Sequence, residues 1–187
     1  SQGVDNIEVD TNTAKIFQAW IQKQWQDDKV SVLLGLYDLN SEFYVSHSTG
    51  IFLHPSPGIG SELAQTGQNG PSVFPTSSVG LRLRFRPTSE TYIQAVVLDG
   101  VPGDLDNPRG THIQFNEGDG TLSVAEVGFI PELNKDAEVA GLPVTDKFAI
   151  GAWSYSARFE DLVDVDGTGD PLMSKGNNGF YVLAEKI

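Results

Sequence analysis

Arg82, Arg84 and Arg86 recur at every second position in the stretch VGLRLRFRPTSETYIQAVVLDG (79–100), with Val79, Leu81, Leu83 and Phe85 filling the alternate places. In a strand, successive side chains point to opposite faces, so this segment presents a row of guanidinium groups on one side and an apolar row on the other. Each guanidinium holds its donors in a fixed planar fork and stays charged, so such a row can bind acceptors and attract anions. A water-soluble sheet with one wet face would show the same alternation, and the row alone leaves both readings open.

The other groups that could do chemistry are less specific. The loop DVDGTGD (164–170) has Asp164, Asp166 and Asp170 at the first, third and seventh positions of a calcium loop and Gly169 at the sixth, but Lys175 stands at the twelfth, where a bidentate Glu belongs, and Pro171 follows directly. No metal site is predicted there. The carboxylate pairs Glu160 with Asp161 and Asp38 with Glu42 resemble the acid and base of a glycosidase, yet 25 Asp and Glu residues make such pairs expected without catalysis. His47, His54 and His112 fall in loops without ligand spacing, and neither a nucleophile motif nor a phosphate-cradling glycine loop is present. The reading is therefore of a protein that is not an enzyme, with no catalytic residue and no cofactor.

The elements that must position these groups read as strands. Twenty glycines and 10 prolines punctuate short runs rich in Val, Ile, Leu, Phe, Tyr and Trp. Alternating runs lie at 13–26, 29–45, 79–86, 91–100, 121–130, 147–162 and 179–187, with a weak eighth in THIQFN (111–116). The first also admits a helix, because Ala, Gln and Lys favour one. As a strand it puts Phe17, Ala19, Ile21 and Trp25 on one parity and Gln18, Trp20, Gln22 and Gln24 on the other. The connections alternate short (27–29, 87–90) with long (46–78, 101–120, 163–178), as in outer-membrane barrels, and only 131–146 is longer than that rhythm asks.

Composition removes other classes. Twelve Lys and Arg against 25 Asp and Glu give a formal charge of −13, which repels phosphate backbones, so no nucleic-acid partner is expected. The absence of cysteine excludes disulfides and thiolate metal sites within the chain. No apolar run reaches the roughly 20 residues of a membrane helix, but barrel strands need only about 9–11 alternating residues each. The start, SQGVDNIEVDTNT, lacks the basic and apolar regions of a signal peptide.

The strings GLYDLNSEFYVSHSTGIFLHPSPGIG and NGPSVFPTSSVGLRLRFRPTSETYIQAVVLDGVPGDLDNPRGTHI, with AEVGF, IGAWSYSARFEDL and GNNGFYVLAEK further on, resemble the carbohydrate-selective (OprB-type) porins of Gram-negative outer membranes over nearly the whole chain. The resemblance implies an all-β fold, an antiparallel transmembrane β-barrel of 16 strands in the family, that passes sugars passively across the outer membrane. Seven or eight strands are too few for such a barrel, so residues 1–187 are expected to be part of a single porin domain with further strands on either side.

What the resemblance implies for the residues follows from their parity. Arg82 and Arg84 would face the lumen and Leu81, Leu83 and Phe85 the lipid, since an arginine on the lipid face costs about 2–4 kcal/mol at mid-membrane. Gln18, Gln22 and Gln94 would share the lumen face with Trp20, amides serving sugar hydroxyls and the indole stacking on a pyranose. Glu126 is the candidate partner of the arginines. The implied partners are sugars as transported solutes and outer-membrane lipid, and a homo-oligomer is compatible with the class. The competing reading is a soluble β-sandwich carbohydrate-binding module, which would bury one face of each sheet against a second sheet.

Overall fold

The computed structural model describes residues 11–46, 58–131, 138–139, 142–143 and 146–186, so His47 and His54 lie outside the described residues. In chain order the strands are β1 (Ala19–Trp25), β2 (Val30–Tyr37), β3 (Ser78–Phe85), β4 (Thr91–Asp99), β5 (Thr121–Phe129), the two-residue β6 (Glu138–Val139) and β7 (Leu142–Pro143), β8 (Lys147–Tyr155), β9 (Phe159–Val165), β10 (Pro171–Ser174) and β11 (Asn178–Glu185). Seven of them form one sheet in the order β1-β2-β3-β4-β5-β8-β11, each antiparallel to its neighbours. The short pairs β6-β7 and β9-β10 stand apart as hairpins.

The seven long strands are the seven expected from alternation, and the helix alternative for 13–26 gives way to a strand paired residue for residue with β2, Ala19 opposite Leu36 through Trp25 opposite Val30. Four expectations change. The run 147–162 divides at residues 156–158 into β8 and the first part of β9, which leaves the large sheet. Residues 111–116 form no strand, and the side chains of Thr111 and Gln114 tie the stretch to Ile16 N and to Asp104. The second strand stops at Tyr37 instead of running to residue 45: Asp38 caps a single 3₁₀ turn (Leu39–Ser41), its side chain accepting from the Asn40 N–H at 3.0 Å. The stretch 163–178, read as a loop, carries most of the β9-β10 hairpin, whose turn is closed by Asp166 accepting from the backbone of Thr168 and Asp170.

The sheet has two unlike faces. On one, Leu34, Leu81, Leu83, Phe85, Ile93, Val97, Val127, Phe129, Phe148, Ile150, Phe180 and Val182 stand exposed. At the end with the short turns this bare face carries Trp25, Phe85, Phe129 and Phe148, an aromatic band of the kind that marks a membrane interface. The other face is covered by residues between β2 and β3. Leu39, Phe43 and Leu63, none of them exposed at all, pack on Leu33, Tyr37, Val96, Leu98, Leu122, Val124, Trp153, Tyr155 and Tyr181. Burying each of the three contributes about 2 kcal/mol, enough to hold a short irregular segment against the sheet.

Candidate functional site

Register turns the alternating polar residues into a row. Reading across paired positions, Gln24, Ser31, Arg84, Gln94, Glu126, Gly151 and Tyr181 lie side by side from β1 to β11 on the covered face. The adjacent row runs Gln22, Leu33, Arg82, Val96, Val124, Trp153 and Gly179. The glycines make room for rings. A Cβ on Gly151 would lie 2.2 Å from the Tyr181 ring, and one on Gly128 equally close to the ring of Tyr92, its partner across the ladder. Tyr181 thereby reaches across β8 to Glu126 on β5.

The expected pairing of the arginines with Glu126 is corrected by the structure: their partner is Glu42, delivered by the segment after β2. Arg82 donates to both Glu42 oxygens, Nε to Oε2 at 2.7 Å and Nη2 to Oε1 at 3.1 Å, while Arg84 Nη2 lies 3.1 Å from Oε1. Tyr37 donates its hydroxyl to the same carboxylate at 2.6 Å. Arg82 also bonds to Ser31 Oγ and to Gln22 Oε1, and it is 1% exposed. Arg84 donates twice to Gln94 Oε1 and keeps 21% of its side chain in solvent, as Glu42 keeps 20%. A forked, doubly bonded guanidinium–carboxylate contact is among the stronger polar contacts proteins make.

Glu126, 1% exposed, is satisfied by neutral donors, and among the described residues no cation forms an ion pair with it. Tyr92 and Tyr181 donate their hydroxyls to it at 2.7 and 2.6 Å, Gln94 Nε2 at 3.0 Å and the Tyr44 backbone N–H at 2.9 Å. Two charges flank the Tyr92 ring, Arg84 at 5.9 Å and Lys147 at 5.8 Å from its centroid. Of the remaining predicted residues, Trp20 is 47% exposed and donates its indole N–H to Gln18 Oε1 at 3.2 Å, just ahead of β1. The structure thus brings Arg82, Arg84, Gln94 and Gln22 into one network, sets Glu126 beside it, and leaves Gln18 and Trp20 on the exposed edge strand.

The covering segment is gripped by its backbone. Gln94 Nε2 donates to Glu42 O at 2.9 Å, Lys147 Nζ to Val45 O at 2.7 Å, and Glu126 accepts from Tyr44 N. The Tyr44 ring stacks on Tyr181 with centroids 4.0 Å apart. Burial, followed by the hydrogen bond to Glu62, pushes the Tyr44 hydroxyl up to about 12. Desolvation likewise raises Asp38 to about 6, against the opposing bond from Asn40. Sequence reasoning met Glu42 only as half of an unremarkable carboxylate pair, and it missed Tyr44, Tyr92, Lys147 and Tyr181. The turn residues of DLNS were the available signal that the chain leaves the sheet there, and glycines on the polar parity of β5 and β8 were the signal for rings on their neighbours.

Among the described residues no grouping of His, Asp and Glu could hold a metal ion, and Asp166 directs one carboxylate oxygen to Thr168 and Asp170. The arrangement gathers guanidinium, carboxylate, amide and phenol groups into one bonded set. What it offers is a wall with fixed donors, acceptors and charges at mid-strand, backed by an apolar belt on the opposite face.

The fold matches a solved one. The high pH structure of Pseudomonas putida OprB superposes with a TM-score of 0.66 at 19% identity, over 89% of this chain and 39% of that one, so the chain spans well under half the length of that barrel protein. No curated protein matches the sequence. The family model of the carbohydrate-selective porin, OprB family, matches residues 1–186, and the chain belongs to that family of Gram-negative outer-membrane porins.

Proposed function

We propose that these residues form part of the wall and constriction of a water-filled channel through which carbohydrates diffuse passively and selectively, as one section of a single barrel domain. The observation that carries this reading is the division of the sheet: a continuous apolar face with an aromatic band, and behind it a charged row covered by a docked segment. A β-sandwich would need a second sheet on the apolar face, and among the described residues none lies there. In this reading Arg84, Glu42, Gln22, Gln18 and Trp20 offer surface to the solute. Arg82, Gln94 and Glu126 are buried and hold that surface in place.

The test is reconstitution of the full-length protein in planar bilayers and liposomes. Arg84→Ala should lower sugar flux or shift ion preference toward cations, while Leu83→Arg should impair insertion through a lipid-face cost of about 2–4 kcal/mol. An Arg84→Ala channel that conducts like the parent, together with altered selectivity in Leu83→Arg, would reverse the two faces and sink the proposal.

A further inference from the structure

A second concavity lies away from the arginine network, at the end of the sheet where the long connections gather. It measures about 560 Å³, within the range of small-molecule sites. Its walls come from residues 11–17 ahead of β1, 69–76 ahead of β3 and 103–112 after β4. Arg82 is four residues into β3 from Ser78, roughly 13 Å along the strand from this end.

The walls are stitched together by specific bonds. Thr13 Oγ1 accepts from Gly110 N at 2.8 Å, Thr111 Oγ1 accepts from Ile16 N at 2.6 Å, Lys15 Nζ donates to Thr76 Oγ1 at 3.0 Å, and Ser77 Oγ donates to Phe17 O. Inside, Phe74 is 51% exposed, and Phe17 meets it at 79° with centroids 5.4 Å apart, leaving a face of Phe74 uncovered by its neighbour. Lys15, Asp104, Asn107 and His112 line the same cavity. Asp104 is held rigid by donations from Asp106 N and Asn107 N to Oδ1 and from Gln114 Nε2 to Oδ2, which lies 4.0 Å from His112 Nδ1. These bonds, the Asp106 N–H first, hold its carboxyl below the usual range, so it is an ionised acceptor.

A cavity that holds a half-exposed aromatic ring together with a carboxylate, an amide and an ammonium suits a molecule with one flat C–H face and hydroxyls at its rim. Charges of both signs line the cavity, which favours a neutral polyhydroxylated ligand over an ion. We propose that this cavity is a capture site for neutral pyranose sugars at the mouth of the channel, with Phe74 as the stacking platform and Asp104 and Lys15 as hydroxyl partners. The proposal rests on the sugar-channel reading and adds to it a binding step that precedes the constriction.

The experiment uses the full-length protein, with maltose and glucose as probes. Binding is measured in detergent by calorimetry and flux in liposomes. Phe74→Ala should weaken maltose binding roughly tenfold, and Phe74→Tyr, which keeps the ring, should stay within about threefold of the parent. Flux at low maltose should fall by the same factor in Phe74→Ala, with flux at saturating maltose and single-channel conductance in salt unchanged. A folded Phe74→Ala barrel with parental affinity and low-concentration flux overturns the capture site and leaves the channel reading intact. Absence of binding of either sugar to the parent also overturns it. A parent that binds maltose through Phe74 but passes it no faster than protein-free liposomes keeps the site and overturns the channel reading instead.

Discussion

Arg82 and Arg84 stand two positions apart and share a carboxylate, yet they do different things. Arg82 is sealed at 1% exposure, with three side chains on its guanidinium, whereas Arg84 keeps a fifth of its surface in solvent. Breaking a buried ion pair by removing one partner typically costs about 3 kcal/mol or more, because the remaining charge has lost its compensation. Arg82→Ala should therefore lower the temperature at which the folded barrel converts to its unfolded form on semi-native gels. Arg84→Ala should shift it little and act on permeation. Tyr181→Phe removes one of four donors to Glu126 and should cost about 2 kcal/mol in the same assay, and Gly151→Val, which drives a side chain into the Tyr181 ring, should cost at least as much. Parity alone placed both arginines opposite Leu81, Leu83 and Phe85. It could not supply Glu42, 40 positions away from Arg82 and brought back by an irregular segment with no period to read.

The irregular segment is the element on which the network depends. Residues 38–46 leave the sheet at a one-turn helix, and Gln94, Glu126 and Lys147, from three different strands, then hold their backbone. The long strands of the sheet were legible because they alternate an exposed apolar face with a covered one. The segment was not, because its apolar anchors Leu39 and Phe43 sit on one short turn that is too brief to show a period, and Leu63, which packs with them, comes from a separate stretch. Asp38 gives this element a pH dependence whose sign is fixed. Its pKa is raised to about 6 by desolvation, so the docked state prefers the protonated acid. Docking is strongest below the ordinary carboxylate range and weakens as pH rises through about 6, by at most about 3 kcal/mol. Single-channel recordings from pH 4 to 8 should show flicker increasing across that window, and Asp38→Asn should remove the step. Flicker that persists with the same midpoint in Asp38→Asn would assign the titration to another group.

At the scale of the molecule, antiparallel pairing sends connections alternately to two ends. The turns at 26–29 and 86–90 lie at one end, together with the last residue of β5 and the first of β8, and the other connections of the large sheet start and finish at the opposite end. The tightest turn puts Gln26, Asp27 and Asp28 at φ of 54°, 53° and 68°, a left-handed run that aspartates tolerate better than most residues. The aromatic band of Trp25, Phe85, Phe129 and Phe148 lies at that same end of the apolar face, so turn length and side-chain chemistry single out the same end of the sheet independently. In outer-membrane barrels short turns are periplasmic, which sets the capture cavity outside and the arginine row deeper along the path of a solute. The absence of cysteine from these 187 residues makes the orientation directly measurable by single introduced thiols. Asn107→Cys and Thr168→Cys should react with a membrane-impermeant maleimide on intact cells. Asp28→Cys and Ser89→Cys should react only after the outer membrane is permeabilised. The reverse pattern would invert the chain in the membrane and move the cavity to the exit side, where it could not capture incoming solute.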